Sequence, residues 1–152
     1  MICKISPDLF SKVELTERIK KGEAPPNAIS WAAENGYTTL VRDLISLRAD
    51  VLENDNYPLE LASKKGYTEI VKILLEAGVS TQDSTDEGYC LRLAAYNGYT
   101  EIASMLIQSG ANPVADNYLA LKLALEKGNM EIVELLLDVI SIERAERLRA
   151  NS

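Results

Sequence analysis

Acidic side chains and two cysteines are the residues of this sequence that could carry out catalysis. The 23 Asp and Glu residues could in principle supply a general acid and a general base. They are spread along the chain, and no motif brings two of them together in a buried cleft. Cys90 has no histidine to activate it, because the sequence contains none, and the same absence removes histidine zinc sites. The sequence therefore predicts no catalytic, cofactor-binding or metal site.

Tyrosine is the residue type whose frequency points to binding instead. The sequence has seven Tyr beside one Trp and one Phe, and tyrosine combines a large contact area with a polar end, which is why interfaces are enriched in it. The formal net charge of −7 disfavours nucleic acid or anionic lipid as the partner, since both attract a positive surface. The composition therefore favours another protein as the partner, with a basic patch that complements this charge.

The cysteines and the apolar content predict an intracellular protein. Cys3 and Cys90 are too few for a disulfide framework and match no metal-ligand spacing. No apolar run approaches the roughly 18 residues of a membrane span. The start, MICKISPDLF, has an acid and a proline where a secretory signal needs a continuous apolar core. An unprocessed cytoplasmic protein is expected.

A short phrase recurs along the chain and sets its organisation. GYTEI begins at Gly66 and again at Gly98, GYTTL begins at Gly36, and GNMEI begins at Gly128. The intervals between these four glycines are 30, 32 and 30 residues, and self-similarity at such a period is the signature of a repeat protein. We number the repeats 1 to 4 and call these residues the turn glycines.

Apolar residues keep fixed places around each turn glycine. Before the glycine, apolar residues stand at spacings that predict a short helix; they are Ile29, Trp31, Ala32; Leu59, Leu61, Ala62; Leu91, Leu93, Ala94; and Leu121, Leu123, Ala124. After it, the stripe of an amphipathic helix follows; its members are Leu40, Val41, Leu44, Ile45; Ile70, Val71, Leu74, Leu75; Ile102, Ala103, Leu106, Ile107; and Ile132, Val133, Leu136, Leu137. Each repeat is therefore predicted to be a helix, a glycine turn, a second helix and an extended connection.

Polar residues and glycines predict where the second helices begin and end. Thr38, Thr68 and Thr100 precede the apolar stripes and are expected to be their N-caps. Gly78 and Gly110 follow two of the stripes and are expected to end these helices in a left-handed conformation.

These residues resemble ankyrin repeats. "PLELASKKGYTEIVKILLEAG" and "DEGYCLRLAAYNGYTEIASMLIQSGAN" are similar to the family pattern T-P-L-H-x-A-A-x-x-G-H-x-E-I-V-x-x-L-L-x-x-G-A. The resemblance implies an all-α ankyrin-repeat solenoid, with an N-terminal cap over residues 1–26, four repeats over 27–139 and a C-terminal cap over 140–152. "DNYPLELA" and "DNYLALKLA" also resemble giant-virus-type ankyrin repeats, which would place the protein in a host cytoplasm.

The sequence departs from the family pattern at two kinds of turn position. The histidine of T-P-L-H is replaced in every repeat, by Ser30, Glu60, Arg92 and Lys122. In the family this motif closes a hydrogen-bonded turn, so the starts of the first helices are expected to be looser here. Arg48 stands where the glycine that ends the first repeat is expected.

The resemblance implies a non-catalytic module that binds a protein as an adaptor, scaffold or inhibitor. Its binding surface would be the concave one, formed by the connection tips and the exposed residues of the first helices. Mapped onto this chain, the partner-binding candidates are Glu53, Asn56, Lys64, Lys65, Asp86, Tyr96, Asn97, Asp116, Tyr118 and Lys127. Tyr96 and Tyr118 are the expected anchors, whereas Tyr37, Tyr67 and Tyr99 share one repeat position and are expected to be structural.

Other interpretations stay open. The chain could be a structural repeat scaffold without a dedicated partner or, as the least favoured case, an enzyme that uses surface carboxylates. An acidic rim is expected around the groove, so that binding weakens as salt rises. A monomer is expected, unless an apolar end around Val139 and Ile140 stays uncovered, which would favour a dimer.

Overall fold

The protein is described by a computed structural model, which covers residues 11–81 and 88–151 and, within them, every side chain except those of residues 53–55. All regular structure in these ranges is helical, which confirms the predicted all-α class. The helices are α1 (Lys12–Lys20), α2 (Ala28–Glu34), α3 (Thr38–Ser46), α4 (Glu53–Lys65), α5 (Thr68–Glu76), α6 (Tyr89–Asn97), α7 (Thr100–Gln108), α8 (Ala115–Lys127) and α9 (Met130–Ala150).

The chain divides into two compact units, residues 1–79 and 80–152. In the first unit, α2 packs against α3 and α4 against α5, and the two hairpins stack through α2 on α4 and α3 on α5, while α1 packs against α3. In the second unit, α6 and α8 pack together in the same way, as do α7 and α9. Stacking is necessary because the apolar stripe of one hairpin has nothing opposite it until a second hairpin covers it.

The predicted apolar stripes form the cores of these stacks. The alanine four residues before each turn glycine is fully buried in all four repeats, at Ala32, Ala62, Ala94 and Ala124. In every second helix the first three members of the stripe are buried and the fourth is partly exposed. Leu137, the fourth member in repeat 4, is the most open of these, with 47% of its surface exposed.

Each hairpin turn combines a left-handed glycine with a very tight reversal. In repeat 2, Gly66 has φ 76°, and the amide N–H of Tyr67 donates to the carbonyl of Ala62 at 3.0 Å, as in a helix-ending Schellman motif. The next amide, of Thr68, donates to the carbonyl of Gly66 at 3.0 Å. Tyr67 between them has φ −81° and ψ 75°, which is the conformation of an inverse γ-turn.

The prediction that threonines cap the second helices is wrong. Thr38, Thr68 and Thr100 are the first residues of α3, α5 and α7, and the N-cap positions hold tyrosines that make no side-chain capping bond. The inverse γ-turn already engages the threonine amide with the glycine carbonyl. For that reason the helix begins one residue earlier than a side-chain cap would require.

The second helices end as the sequence predicts. Gly78 and Gly110 have φ 94° and 96°, and their amides donate to the carbonyls of Leu75 and Ile107 at 3.0 and 2.9 Å. Arg48 occupies the equivalent place in repeat 1 and adopts the same left-handed conformation with φ 61°. A side chain with a Cβ is strained in this conformation, so the first repeat retains its turn at a cost in backbone energy.

The starts of the first helices also contain left-handed residues. Asn27 and Gly88 have φ 62° and 87° directly before α2 and α6, and Asn56 has φ 68° inside the first turn of α4. In α8 three successive residues, Asp116–Tyr118, have left-handed φ and ψ, so regular helix begins only after them. At the other end of the chain, α9 runs without a break from repeat 4 into the segment that the sequence assigns to a C-terminal cap.

Candidate binding surface

The exposed ends of α6 and α8 bring three of the predicted contact residues together. Tyr96 is 46% exposed, Asn97 and Lys127 are exposed, and the Lys127 Nζ lies 4.3 Å from the centre of the Tyr96 ring. A cation over an aromatic face is attracted by the ring quadrupole. We call Tyr96, Asn97 and Lys127 the ledge.

The ledge rests on a fixed backbone. Asn129 follows the turn glycine of repeat 4, and its Nδ2 donates to the carbonyls of Ala95 at 2.7 Å and of Tyr96 at 3.3 Å. Asn97 donates from its own side chain to the Leu93 carbonyl at 2.8 Å. The two Asn129 bonds engage carbonyls in the last turn of α6 that have no partner within the helix. The ring of Tyr96 therefore stands on a backbone that both repeats of this unit hold in place.

Asp116 belongs to a second group, at the start of α8. Its Oδ2 accepts a hydrogen bond from the Arg92 guanidinium at 2.7 Å, and the Arg92 side chain is only 12% exposed. The Arg92 guanidinium also lies 5.6 Å from the centre of the Tyr89 ring. Arg92 stands at the histidine position of the family motif, and here it joins repeat 3 to the tip of repeat 4. Asp116 is thus half of an ion pair between repeats, with 57% of its side chain exposed.

Tyr118 lies apart from the ledge. It is 42% exposed and lines a cavity of about 280 Å³ with Val114 and with four residues of α9, which are Ile140, Glu143, Arg144 and Arg147. Tyr118 and Lys127 stand near opposite ends of α8, nine residues or about 14 Å apart. The two tyrosines that the sequence selects as anchors therefore serve separate surfaces.

The remaining candidates are distributed unevenly. Lys64 and Lys65 are exposed in the last turn of α4, in the first unit. Asn56 is only 4% exposed, and its left-handed backbone places it inside the turn, so its assignment to a contact surface is corrected to a structural role. The side chain of Glu53, and Asp86 as a whole, lie outside the described residues.

The tyrosines predicted to be structural pack between elements. A Cβ on Gly36 would lie 3.0 Å from the Tyr67 Cζ, which places the Tyr67 ring directly against the preceding turn. Tyr37 packs against Trp31 with ring centres 5.4 Å apart and the rings tilted by 50°, and it lies under the ammonium group of Lys12 at 4.7 Å. Trp31 is 4% exposed, in agreement with its predicted place in the core.

Sequence reasoning missed the arginines of this surface. By sequence alone Arg92 is only a departure from the family motif, although a long cation at a mostly buried position signals an ion pair with a neighbouring element. Arg144 and Arg147 lie in the segment that the family resemblance assigns to a C-terminal cap, residues 140–152. Their approach to Tyr118 follows from the length of α9, which no local pattern shows.

Two kinds of feature are absent from residues 11–81 and 88–151. No helix there is both long enough and apolar enough to cross a membrane. No three Cys, Asp or Glu side chains in those ranges are grouped so that they could hold a metal ion.

The chain matches a known protein family over most of its length. The family model described as ankyrin repeats (3 copies) matches residues 9–85 and again residues 79–145. A search of curated proteins found no significant match.

Proposed function

The chain belongs to the ankyrin repeat family, and we propose that it binds one specific partner protein through the ledge formed by Tyr96, Asn97 and Lys127. Ankyrin repeats are generally protein–protein interaction modules and are typically non-catalytic. The protein would act as an adaptor, scaffold or inhibitor inside the cell, by occupying a preformed surface with little change of shape.

The observation that carries this proposal is the exposure of Tyr96 on an ordered support. Its ring is 46% exposed, the Lys127 ammonium lies against it, and its backbone carbonyl accepts a bond from Asn129. Few degrees of freedom remain to be lost when a partner covers this ring, which is the property of an interface anchor. Tyr118 in its cavity would be a second contact only for a partner that reaches α9.

Charge defines the class of partner. The net charge of −7 would accelerate the encounter with a basic protein, whereas the ion pair with Arg92 reduces the charge that Asp116 can offer. The partner is therefore proposed to carry a basic patch for encounter and an apolar pocket for Tyr96. In that case the association rate falls as salt rises, while the dissociation rate depends on Tyr96.

Affinity capture from cell lysate with mass-spectrometric identification tests the proposal. Four baits are compared: the wild type, a ledge variant with Tyr96→Ala and Lys127→Ala, a cavity variant with Tyr118→Ala and Arg147→Ala, and a control with Glu101→Ala and Gln108→Ala on exposed positions of α7. We expect one basic protein to be retained by the wild type and the control and to be lost from the ledge variant. Circular dichroism checks that every bait is folded.

The other outcomes have definite meanings. A partner that the ledge variant retains and the cavity variant loses would contradict the assignment to the ledge and move the site to α9. A partner whose association rate is the same at low and physiological salt would contradict the electrostatic part. If no bait captures any protein from lysates of several cell types, the alternative of a scaffold without a dedicated partner replaces the proposal.

A further inference from the structure

An exposed face of α9 has the residue spacing of a coiled-coil seam. Starting at Met130, residues recur at alternating intervals of four and three, as the a and d positions of a heptad do. The residues on this stripe, which we call the α9 stripe, are Met130, Glu134, Leu137, Ser141, Arg144 and Leu148. All six are exposed, and Met130, Leu137 and Leu148 are large apolar residues with 56%, 47% and 66% of their surface open.

In repeats 1 and 3, the equivalent side of the second helix contacts the second helix of the following repeat. In repeat 1 the Arg42 guanidinium, six residues after the turn glycine, pairs with Glu69 of repeat 2. In repeat 3 the Thr100 hydroxyl, two residues after the turn glycine, donates to the Glu131 carboxylate of repeat 4 at 3.1 Å. Positions two and six after the glycine therefore contact the second helix of the following repeat. Met130 and Glu134 hold these positions in repeat 4, and no later repeat in the described chain covers them.

Repeat 4 also has a large apolar residue at a position where the other repeats have small ones. Three residues before the turn glycine, repeats 1 to 3 have Ala33, Ser63 and Ala95, which are all fully buried. Repeat 4 has Leu125 there, with 54% of its surface exposed. Terminal repeats that face water normally carry a polar outer face. An apolar outer face on repeat 4, which no later hairpin of the described residues contacts, indicates a surface that another polypeptide covers.

From these observations we infer that the α9 stripe pairs with the α9 stripe of a second copy of this chain, in antiparallel orientation. A two-fold axis beside Val139 places Met130 opposite the second copy's Leu148. The same axis places Glu134 opposite the second copy's Arg144, and Leu137 opposite its Ser141. Every position is thus matched by an apolar, a complementary charged or a small side chain. This charge complementarity selects the antiparallel pairing, because a parallel one would set Glu134 against Glu134 and Arg144 against Arg144.

A head-to-tail stack of copies does not offer the same match. The outer side of repeat 1 already carries α1, which packs against α3 and places Lys12 over Tyr37. The α9 stripe therefore pairs with the α9 stripe of the second copy, which gives a closed dimer with an isologous interface. This inference is independent of the partner proposed for the ledge.

Charge reversal with exchange of partners tests the dimer. Glu134→Arg gives a chain with arginine at both charged positions of the stripe, and Arg144→Glu gives a chain with glutamate at both. Each variant on its own would set like charges against each other twice in the dimer, and we expect its dissociation constant to rise at least about tenfold. An equimolar mixture of the two variants should dimerise again as a heterodimer, because both charged pairs become opposite in sign.

The measurement is sedimentation equilibrium of the full chain, with circular dichroism to confirm that each variant is folded. For a small interface of this kind we expect a wild-type dissociation constant on the order of 10 µM. Glu146→Arg, the same reversal at an exposed position off the stripe, should leave it unchanged. Recovery in the mixture cannot come from within one chain, because positions 134 and 144 are ten residues or about 15 Å apart on the helix.

Three results would overturn the inference. The first is a wild type that remains monomeric at about 500 µM, far above the expected dissociation constant. The second is a dimer that the two single reversals leave unchanged. The third is a pair of weakened variants whose mixture fails to recover, which would assign the stripe to a different orientation or a different occupant.

Discussion

Within each of the two units, the hairpins contact each other at the same repeat position, but the chemistry of the contact differs. In the first unit Tyr67 follows the turn glycine of repeat 2, and its ring lies against Gly36 of repeat 1, where a Cβ would be 3.0 Å from Cζ. In the second unit Asn129 holds the equivalent place, and a Cβ on Gly98 would lie 3.0 Å from the Asn129 Oδ1. The Asn129 amide also donates to the Ala95 carbonyl at 2.7 Å.

The comparison shows that the two repeat interfaces share the shape of the contact and differ in whether hydrogen bonds form there. Both side chains come so near the preceding turn that a Cβ there would make an unusually tight contact, so each of them fills the volume beside the glycine. Tyr67 fills that volume with an aromatic ring, whereas Asn129 fills it with an amide that engages the end of α6. The interface therefore requires a flat side chain under a glycine, and it accepts either apolar packing or hydrogen bonds.

Alanine at the turn glycines should break both interfaces and gives the largest effect. Gly36→Ala and Gly98→Ala each combine a strained left-handed Cβ with overpacking against the next repeat, and we expect each to lower the free energy of unfolding by about 3 kcal/mol. Gly128→Ala is the matched control, because Gly128 has the same φ of 72° as Gly36 and nothing within 4 Å of an added Cβ. Its loss should be about 1.5 kcal/mol. Urea unfolding measures all three, and equal losses at all three sites would contradict the stacking contact.

Substitutions that keep shape should separate the two interfaces. Asn129→Asp retains the outline of the side chain but removes the donor to the Ala95 and Tyr96 carbonyls, so we expect a loss of about 2 kcal/mol. Tyr67→Phe removes only the hydroxyl from a ring that packs through its carbons, and stability should change by less than about 0.5 kcal/mol. Chemical denaturation of both variants is the measurement. A larger loss for Tyr67→Phe would show that the first interface also depends on a polar contact.

The smallest expected effect concerns the turn that lacks a glycine. Arg48 adopts φ 61° where Gly78 and Gly110 adopt 94° and 96°. We expect Arg48→Gly to stabilise the protein by about 0.7 kcal/mol, because relief of the strained Cβ outweighs the entropy that glycine adds to the unfolded chain. Arg48→Ala, which removes the charge but keeps the Cβ, should give no such gain in thermal unfolding. A gain from Arg48→Ala of the same size would assign the effect to the charge.

Much of the fold follows from the sequence because it depends on local spacing. The alanines before the turn glycines and the apolar stripes each define one helix face, and the structure buries these alanines and the first three members of each second-helix stripe as predicted. The starts of the second helices are harder to predict from the sequence. Thr68 is a good N-cap residue by type, and only the backbone shows that an inverse γ-turn already engages its amide. The strained run at Asp116 has no local signal at all.

The candidate site was predicted in part, for a related reason. Exposure of Tyr96 and Lys127 follows from their place in the repeat, and so does their proximity, since they lie on neighbouring repeats. The burial of Asn56 and the pairing of Asp116 with Arg92 depend on how one connection folds over the next helix. Tyr118 is separated from Tyr96 because Tyr118 and Lys127 stand near opposite ends of α8, and the length of α9 decides which surface Tyr118 joins.

The open space beside Gly128 has a consequence for the addition of further repeats. Every other turn glycine whose contacts are described, Gly36 and Gly98, is covered by a residue of the following repeat, while Gly128 is not. A duplication that inserted one more hairpin after α9's first turns would therefore find a turn already suited to receive it, and no existing turn would need to change. The same insertion would cover Met130 and Glu134. The number of repeats would then decide whether the protein is a longer monomer or the dimer inferred from the α9 stripe.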